Sequence, residues 1–404
     1  MARQRIPATS AEDNIWTSRL ASSLQRSKTL EGQFQLRPIL GPYGEYYKRL
    51  ILHIIELLQK SKYVEELLND PKPSDRTWIV EISGASAKIE AFLNQAAALI
   101  VHGAQIPRDL LSFVGNIHRR FWDRPTPYLL AIPFIGGTPF TQDYMDLALR
   151  PNIELFPEPR NYAGNKDIFV INLSSEIVDV PANWPLLIHE TAHIVESREF
   201  RILDRFYSED NVDSDAQKEA NWALEIICDA IATYCCGPIF GNRLLRKYAG
   251  METRQSETHP PLRMRLQIIS ELLAKMRWTE ESQYITTQLR KIPYGAMLVE
   301  ASRPRFTKDI LDALQKAIES KGLLYELLGD RRATINQIAT RLKEFKPCVV
   351  VGGRTVEILD LLNASHYADL DMNSKPNYGA FQSFLGDMIR LANINQEMHI
   401  AQPS

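Results

Sequence analysis

Along much of the chain, apolar positions recur at three- and four-residue intervals, the spacing that lines one face of a helix. The clearest early stretch is 44–68, GEYYKRLILHIIELLQKSKYVEELL, which Pro71 and Pro73 close. Residues 84–103 and 108–122 carry the same period. The texture then changes. Tyr128–Ile135, YLLAIPFI, reads as a strand, and Pro133, which cannot donate to a ladder, makes it an edge or bent one. Residues 151–166 are rich in Pro, Asn and Gly and read as a loop, and DIFVINL at 167–173 reads as a second strand. Pro185 suits the first turn of a helix predicted over about 184–200. A long helix follows over 214–237, with Gly237–Pro238 as its stop signal. Further helices are predicted at 260–276, 308–328, 331–344, 354–364 and 379–393, with a short strand at 348–351.

This order of elements predicts an α+β, mostly helical protein with a small sheet near the middle. The changes in pattern divide it into a polar, basic arm at 1–40, a helical region at 41–125, a core at 126–277 and a second helical region at 278–404.

Composition narrows the class. A chain of 404 residues suffices for one large domain or two to three ordinary ones. Its 47 basic and 49 acidic side chains leave a net charge of −2, without the basic excess of a dedicated nucleic-acid binder. Residues 1–50 carry eight basic and four acidic side chains, a local +4 that reads as a solvated arm. Cys228, Cys235, Cys236 and Cys348 form no C-x-x-C pair and are too few for a disulfide framework, so a reducing, cytoplasmic setting is expected. No apolar leader segment follows Met1. No run reaches the roughly 18 apolar residues of a membrane span. Neither a nucleic-acid partner nor a membrane span is therefore expected.

The chemistry concentrates at His189-Glu190-Thr191-Ala192-His193, an H-E-x-x-H sequence. On a helix, positions i and i+4 face the same way, so His189 and His193 can bind one metal ion. Glu190 lies about 100° further round the axis, where it can accept a proton from a metal-activated water. A catalytic zinc site needs a third protein ligand and an open position. The extended pattern that ends in a third histidine fails, because Glu196 and Glu199 occupy its Gly and His positions. Two candidates remain. Glu225 and Asp229 sit four residues apart in the otherwise apolar helix NWALEIICDAIATYCCG, where an unpaired charge is costly. Glu225 as ligand removes that cost, and Asp229 can then fix the tautomer of a ligand histidine. Glu199, on the helix of the motif, is the other candidate. A third element is His259-Pro260-Pro261, with Arg265 six residues after the histidine. A histidine held by prolines at a helix entrance can point into a cleft and stabilise an anionic intermediate, with Arg265 supporting it.

Taken in this order, the three elements resemble the gluzincin metallopeptidases. Within them they are similar to the family of the bacterial heat-shock membrane protease and the CAAX prenyl protease, over about 165–275. The resemblance implies a zincin-like core at 126–277, with His189, His193 and Glu225 as Zn2+ ligands. It implies Glu190 as general base and later proton donor, with His259 stabilising the transition state. Asp229 would orient a ligand histidine, and Arg265 would support that arrangement. It also implies that the strand before the motif is an edge that aligns a peptide substrate by strand addition. Here Cys228 stands where that family's acidic motif carries alanine. The expected function is a soluble zinc endopeptidase acting on a protein or peptide, with a narrow or regulated target. The rival expectations are an interaction or sensor protein that keeps a zincin-like core, and a metal-dependent hydrolase of a non-peptide amide.

Overall fold

Helices dominate the computed structural model, as the periodicity predicts. It describes residues 10–36, 48, 52, 55–56, 58–69, 72, 75–102, 108–122, 128–133, 140–143, 168–173, 177, 180–207, 214–248, 258–291, 302–327, 331–372 and 377–400. The loop expected at 151–166 and most of the first half of the helix expected at 44–68 lie outside them. No helix among the described residues is long and apolar enough to cross a membrane.

The chain forms two units, Met1–Arg108 with Pro125–Ser174, and Asp109–Arg124 with Ser175–Ser404. The core expected at 126–277 draws on both, its strands on the first and its helices on the second.

The first unit holds α1 (Ser10–Leu36), α2 (Lys62–Asn69), α3 (Arg76–His102) and a three-stranded sheet. Helix α1 occupies residues 10–36 of the arm expected at 1–40, whose remaining positions lie outside the described residues. Its buried positions are Leu20, Ser23, Ser27 and Leu30, a helical stripe in which serine takes half the places, so a hydrophobic count misses it. Ser23 Oγ donates to Glu90 Oε1 on α3 at 2.7 Å, and Arg26 donates to Glu90 and to Asn94. The sheet runs in the order β1 (Tyr128–Pro133), β3 (Ile168–Leu173), β2 (Phe140–Asp143). β3 pairs parallel with β1 and antiparallel with β2. The strand before the motif is therefore central, which corrects the expectation of an edge that takes a peptide by strand addition. Both of its ladders are already filled, so it has no free side to offer. Pro133 ends β1, which does lie on an edge.

The second unit is helical around α6 (Ser214–Cys236). Every residue from Glu225 to Cys236 is buried, and a helix covered on all sides belongs in a core. Packed on it are α5 (Leu186–Val195), α8 (Leu262–Lys275) and α10 (Thr307–Ser320). Around these lie α4 (Arg108–Arg120), α7 (Pro238–Tyr248), α9 (Thr279–Lys291), α11 (Arg331–Lys343), α12 (Ile358–Met372) and α13 (Tyr378–Ile400), with a small hairpin, β4 (Val350–Val351) and β5 (Arg354–Thr355).

Two of these helices were not predicted. α9 lies in the helical region expected at 278–404 but between the helices named there, although Glu280 and Glu281 in its first turn and Arg290 and Lys291 in its last are ordinary helix-end signals. α7 starts where the sequence reads as a stop. Gly237 takes the left-handed conformation (φ +69°) that ends α6, and Pro238 then serves as the first residue of the next helix. Asn363 of α12 clamps this break: its side chain donates to Cys236 O at 2.9 Å and accepts from Ile239 N at 3.0 Å.

A Cβ at Gly237 would stand 2.6 Å from Tyr325 Cδ1. That ring cannot retreat. It stacks on Trp278, with centroids 5.8 Å apart, and Arg331 lies 4.4 Å from its centroid. Gly237→Ala thus adds a clash to about 1–2 kcal/mol of left-handed backbone strain. Urea unfolding should show a loss of roughly 2–4 kcal/mol, and an unchanged midpoint would contradict this packing.

Candidate metal centre

The helix that carries the H-E-x-x-H sequence is built to be buried. A short 3-10 turn at Pro181–Asn183 and Pro185 set its start, and Leu187 N and Ile188 N donate back to Trp184 O and Pro185 O. Leu186–Ala192, Ile194 and Val195 are all buried, so packing of the helix restrains His189 and Glu190. Only His193 is partly open, with a quarter of its side chain exposed.

His189 and His193 lie one turn apart, their ring centroids 5.1 Å apart and their planes at 87°. Across from them α6 presents Glu225. Its Oε2 stands 3.4 Å from His189 Nε2, and its Oε1 stands 3.5 Å from His193 Nε2. One ligand atom from each of His189, His193 and Glu225 falls within a 4.8 Å span, a group that can hold a metal ion. Glu225 Oε2 is buried yet accepts no hydrogen bond in good geometry, Arg265 being 3.6 Å away. Glu190 is 8% exposed and sits on the same turn as His189.

Asp229 lies one turn further along α6, on the same face as Glu225. Its Oδ1 is 2.9 Å from His189 Nδ1, the ring nitrogen turned away from the group. Arg265, in the first turn of α8, donates to both Asp229 oxygens at 2.7 Å. This two-pronged contact leaves the carboxylate little freedom. His259 stands just before α8. Its Nε2 is 3.5 Å from Glu225 Oε1, its Nδ1 is 2.8 Å from Thr258 Oγ1, and over half of its side chain is exposed. Helices α5 and α6, the start of α8 and the His-Pro-Pro turn thus bring together six of the residues singled out in the sequence, His189, His193, Glu225, Asp229, His259 and Arg265, with Glu190 on the same turn as His189.

Glu199, the other candidate third ligand, lies apart from this group. It falls in a π-helical turn, Glu196–Phe200, and its carboxylate pairs with Lys321 Nζ at 3.3 Å. Cys228 is fully buried and is not among the ligand atoms, and burial pushes its thiol well above the usual range. Cys235 and Cys236 are buried in the same helix, where burial likewise raises their thiols. Trp184 and Trp222 are core residues. The sequence reading missed Phe240 of α7, whose ring stacks on His189 at 6.2 Å and 11°. Its only signal was an aromatic residue in a stretch read as a helix stop.

The electrostatics follow from burial and charge. Burial disfavours a protonated His189, but Asp229 and Glu225 outweigh it and raise its pKa to about 10. Burial and the neighbouring His189 lower His193 to about 4. Burial pushes against the charged forms of both carboxylates, yet His189 and Arg265 hold Glu225 and Asp229 below the usual carboxylate range. Both acids are held in the anionic form.

Just beyond the motif, Glu196 accepts the Leu203 amide at 2.6 Å through Oε1, while Oε2 is buried without a hydrogen bond. Burial raises its pKa to about 7. The folded chain therefore binds this proton more tightly than the unfolded chain. The stabilising effect of the neutral form is complete near pH 4 and is lost as pH rises through 7. Glu196→Gln keeps an oxygen for Leu203 and mimics the neutral acid. Chemical unfolding at pH 8 should show it more stable by roughly 2–3 kcal/mol, with little difference near pH 4. Equal effects at both pH values would contradict a buried proton at this site.

No family model matches the chain, and neither the curated proteins nor the solved structures contain a match to it.

Proposed function

We propose that the chain is a zinc-dependent endopeptidase of the gluzincin type, built on a zincin-like core. The observation that carries this reading is the convergence of His189, His193 and Glu225 beside Glu190. Two imidazoles and one carboxylate are a donor set of catalytic zinc sites, and Glu225 Oε2, buried without a hydrogen bond and with His189 and Arg265 only at 3.4 and 3.6 Å, is an oxygen that a metal ion would satisfy more fully. A bound zinc ion supplies Lewis acidity, which polarises a carbonyl and lowers the pKa of water.

The chain's own residues do the rest. Asp229 Oδ1, 2.9 Å from His189 Nδ1, would hold the proton on that nitrogen and leave Nε2 as the ligand atom. Arg265 keeps Asp229 charged and immobile. Glu190 takes the proton of the attacking water and returns it to the departing amine. His259, exposed on one side and next to Glu225, donates to the carbonyl oxygen as negative charge develops there. A structural zinc site would use four protein ligands and would have no need of Glu190.

The test is hydrolysis of an unstructured protein, read as new N-termini by mass spectrometry. Zinc-loaded protein should cleave it, a chelator should stop cleavage, and added zinc should restore it. Cleavage that survives complete metal removal would refute the proposal. Hydrolysis of simple amides without any peptide cleavage would favour the non-peptide reading.

A further inference from the structure

Residues 323–327 of the second unit belong to no helix or sheet, and they follow Gly322, which turns the chain with φ +60° at the end of α10. Their amides alternate. Leu323 N, Tyr325 N and Leu327 N donate to Ile318 O, Tyr234 O and Met276 O. In an extended chain the residues between them present their amides to the opposite side. On that side, Gly322 O accepts from Arg120 Nη2 at 2.7 Å and Glu326 O accepts from Arg331 Nη1 at 3.0 Å. The N–H and C=O of Leu324, between them, make no hydrogen bond with any of the described residues. This half-satisfied edge opens on a cavity of about 400 Å³, walled by Phe113, Ile117, Leu323 and Ile358.

The charges at the cavity are uneven. Arg331 is shared with Asp360 and Glu357, at 3.5 and 3.9 Å. Arg120 also lines the cavity and donates to the Gly322 carbonyl, and its positive charge has no carboxylate partner among the described residues. An unpaired residue of extended backbone next to apolar walls is what strand addition requires, and an uncompensated guanidinium selects an acid.

We propose that this cleft binds an extended peptide segment carrying an acidic side chain. One peptide residue would exchange both backbone hydrogen bonds with Leu324, its carboxylate neighbour would face Arg120, and an apolar side chain would enter the cavity. The inference concerns binding alone and stands whether or not the metal centre hydrolyses peptides.

Fluorescence anisotropy with full-length Glu190→Gln protein tests it, using a fluorescein-labelled Val-Glu-Val-Glu-Val-Glu-Val peptide. That peptide should bind. Arg120→Ala should weaken it by about tenfold, the usual loss for a charge-assisted hydrogen bond. Leu324→Pro removes the free amide while an extended backbone tolerates the ring, and it should cost a similar factor. A peptide N-methylated at its central residues probes the same pairing from the other side and does not depend on the folding of a variant. No binding at millimolar peptide would overturn the proposal. Equal binding of the lysine counterpart would overturn it too, as would full affinity in Arg120→Ala and for the N-methylated peptide. Competition by free glutamate as strong as by the peptide would also overturn it, by assigning the cleft to a small acid.

Discussion

Glu190→Gln should abolish hydrolysis, by about 10²–10⁴-fold or more, and leave the zinc content unchanged. The reason lies in where the residue sits. Glu190 is buried on the turn that also carries His189, and the ligand group closes through His189, His193 and Glu225 without it. Glutamine fills the same space and keeps one acceptor oxygen, but it cannot take a proton. The effect should therefore fall on kcat, with little change in KM for a peptide held by other contacts. Single-turnover kinetics beside metal analysis would separate the two. A variant that loses zinc would make Glu190 a ligand, and one that keeps full activity would remove it from the chemistry.

Glu225→Ala should show the second large effect, the loss of stable zinc binding. The variant leaves two histidines, and His193 is the more exposed of them. It also removes the carboxylate that His189, His193, His259 and Arg265 all approach within 3.6 Å. Four groups that share one anion would then repel one another around an empty position. Asp229→Asn is the graded companion. It leaves the ligand atoms in place but weakens the hold on His189, and should lower zinc affinity by about 10–100-fold. It also replaces the charged partner of Arg265's two-pronged contact with a neutral amide, so a loss of stability of roughly 1–3 kcal/mol should accompany it. Competition against a zinc-binding dye would rank the three proteins as wild type, Asp229→Asn, Glu225→Ala. If the two variants bound zinc equally, α6 would not supply the third ligand.

The site was more legible in the sequence than the fold around it. His189 and His193 are four residues apart, and so are Glu225 and Asp229, so helical geometry alone aligns each pair. Acids in the apolar run of α6 marked themselves by their cost of burial. Choosing between Glu225 and Glu199 needed the packing of α6 on α5, which no local pattern contains. The helices that were missed failed for separate reasons. α1 buries Ser23 and Ser27 where a leucine would have shown the period. α7 was hidden because Gly237–Pro238 ends one helix and begins the next in consecutive residues. The edge strand was misplaced because strand order depends on long-range pairing, and β3 alone cannot reveal that β2 fills its second side.

The central claim is a zinc centre completed by a residue from a second helix. Metal analysis of the purified full chain, loaded with zinc and dialysed, tests it most directly. One zinc per chain in the wild type and in Glu190→Gln, with almost none in Glu225→Ala, is the predicted result. Zinc retained at one per chain in Glu225→Ala, or none in the wild type, would contradict it.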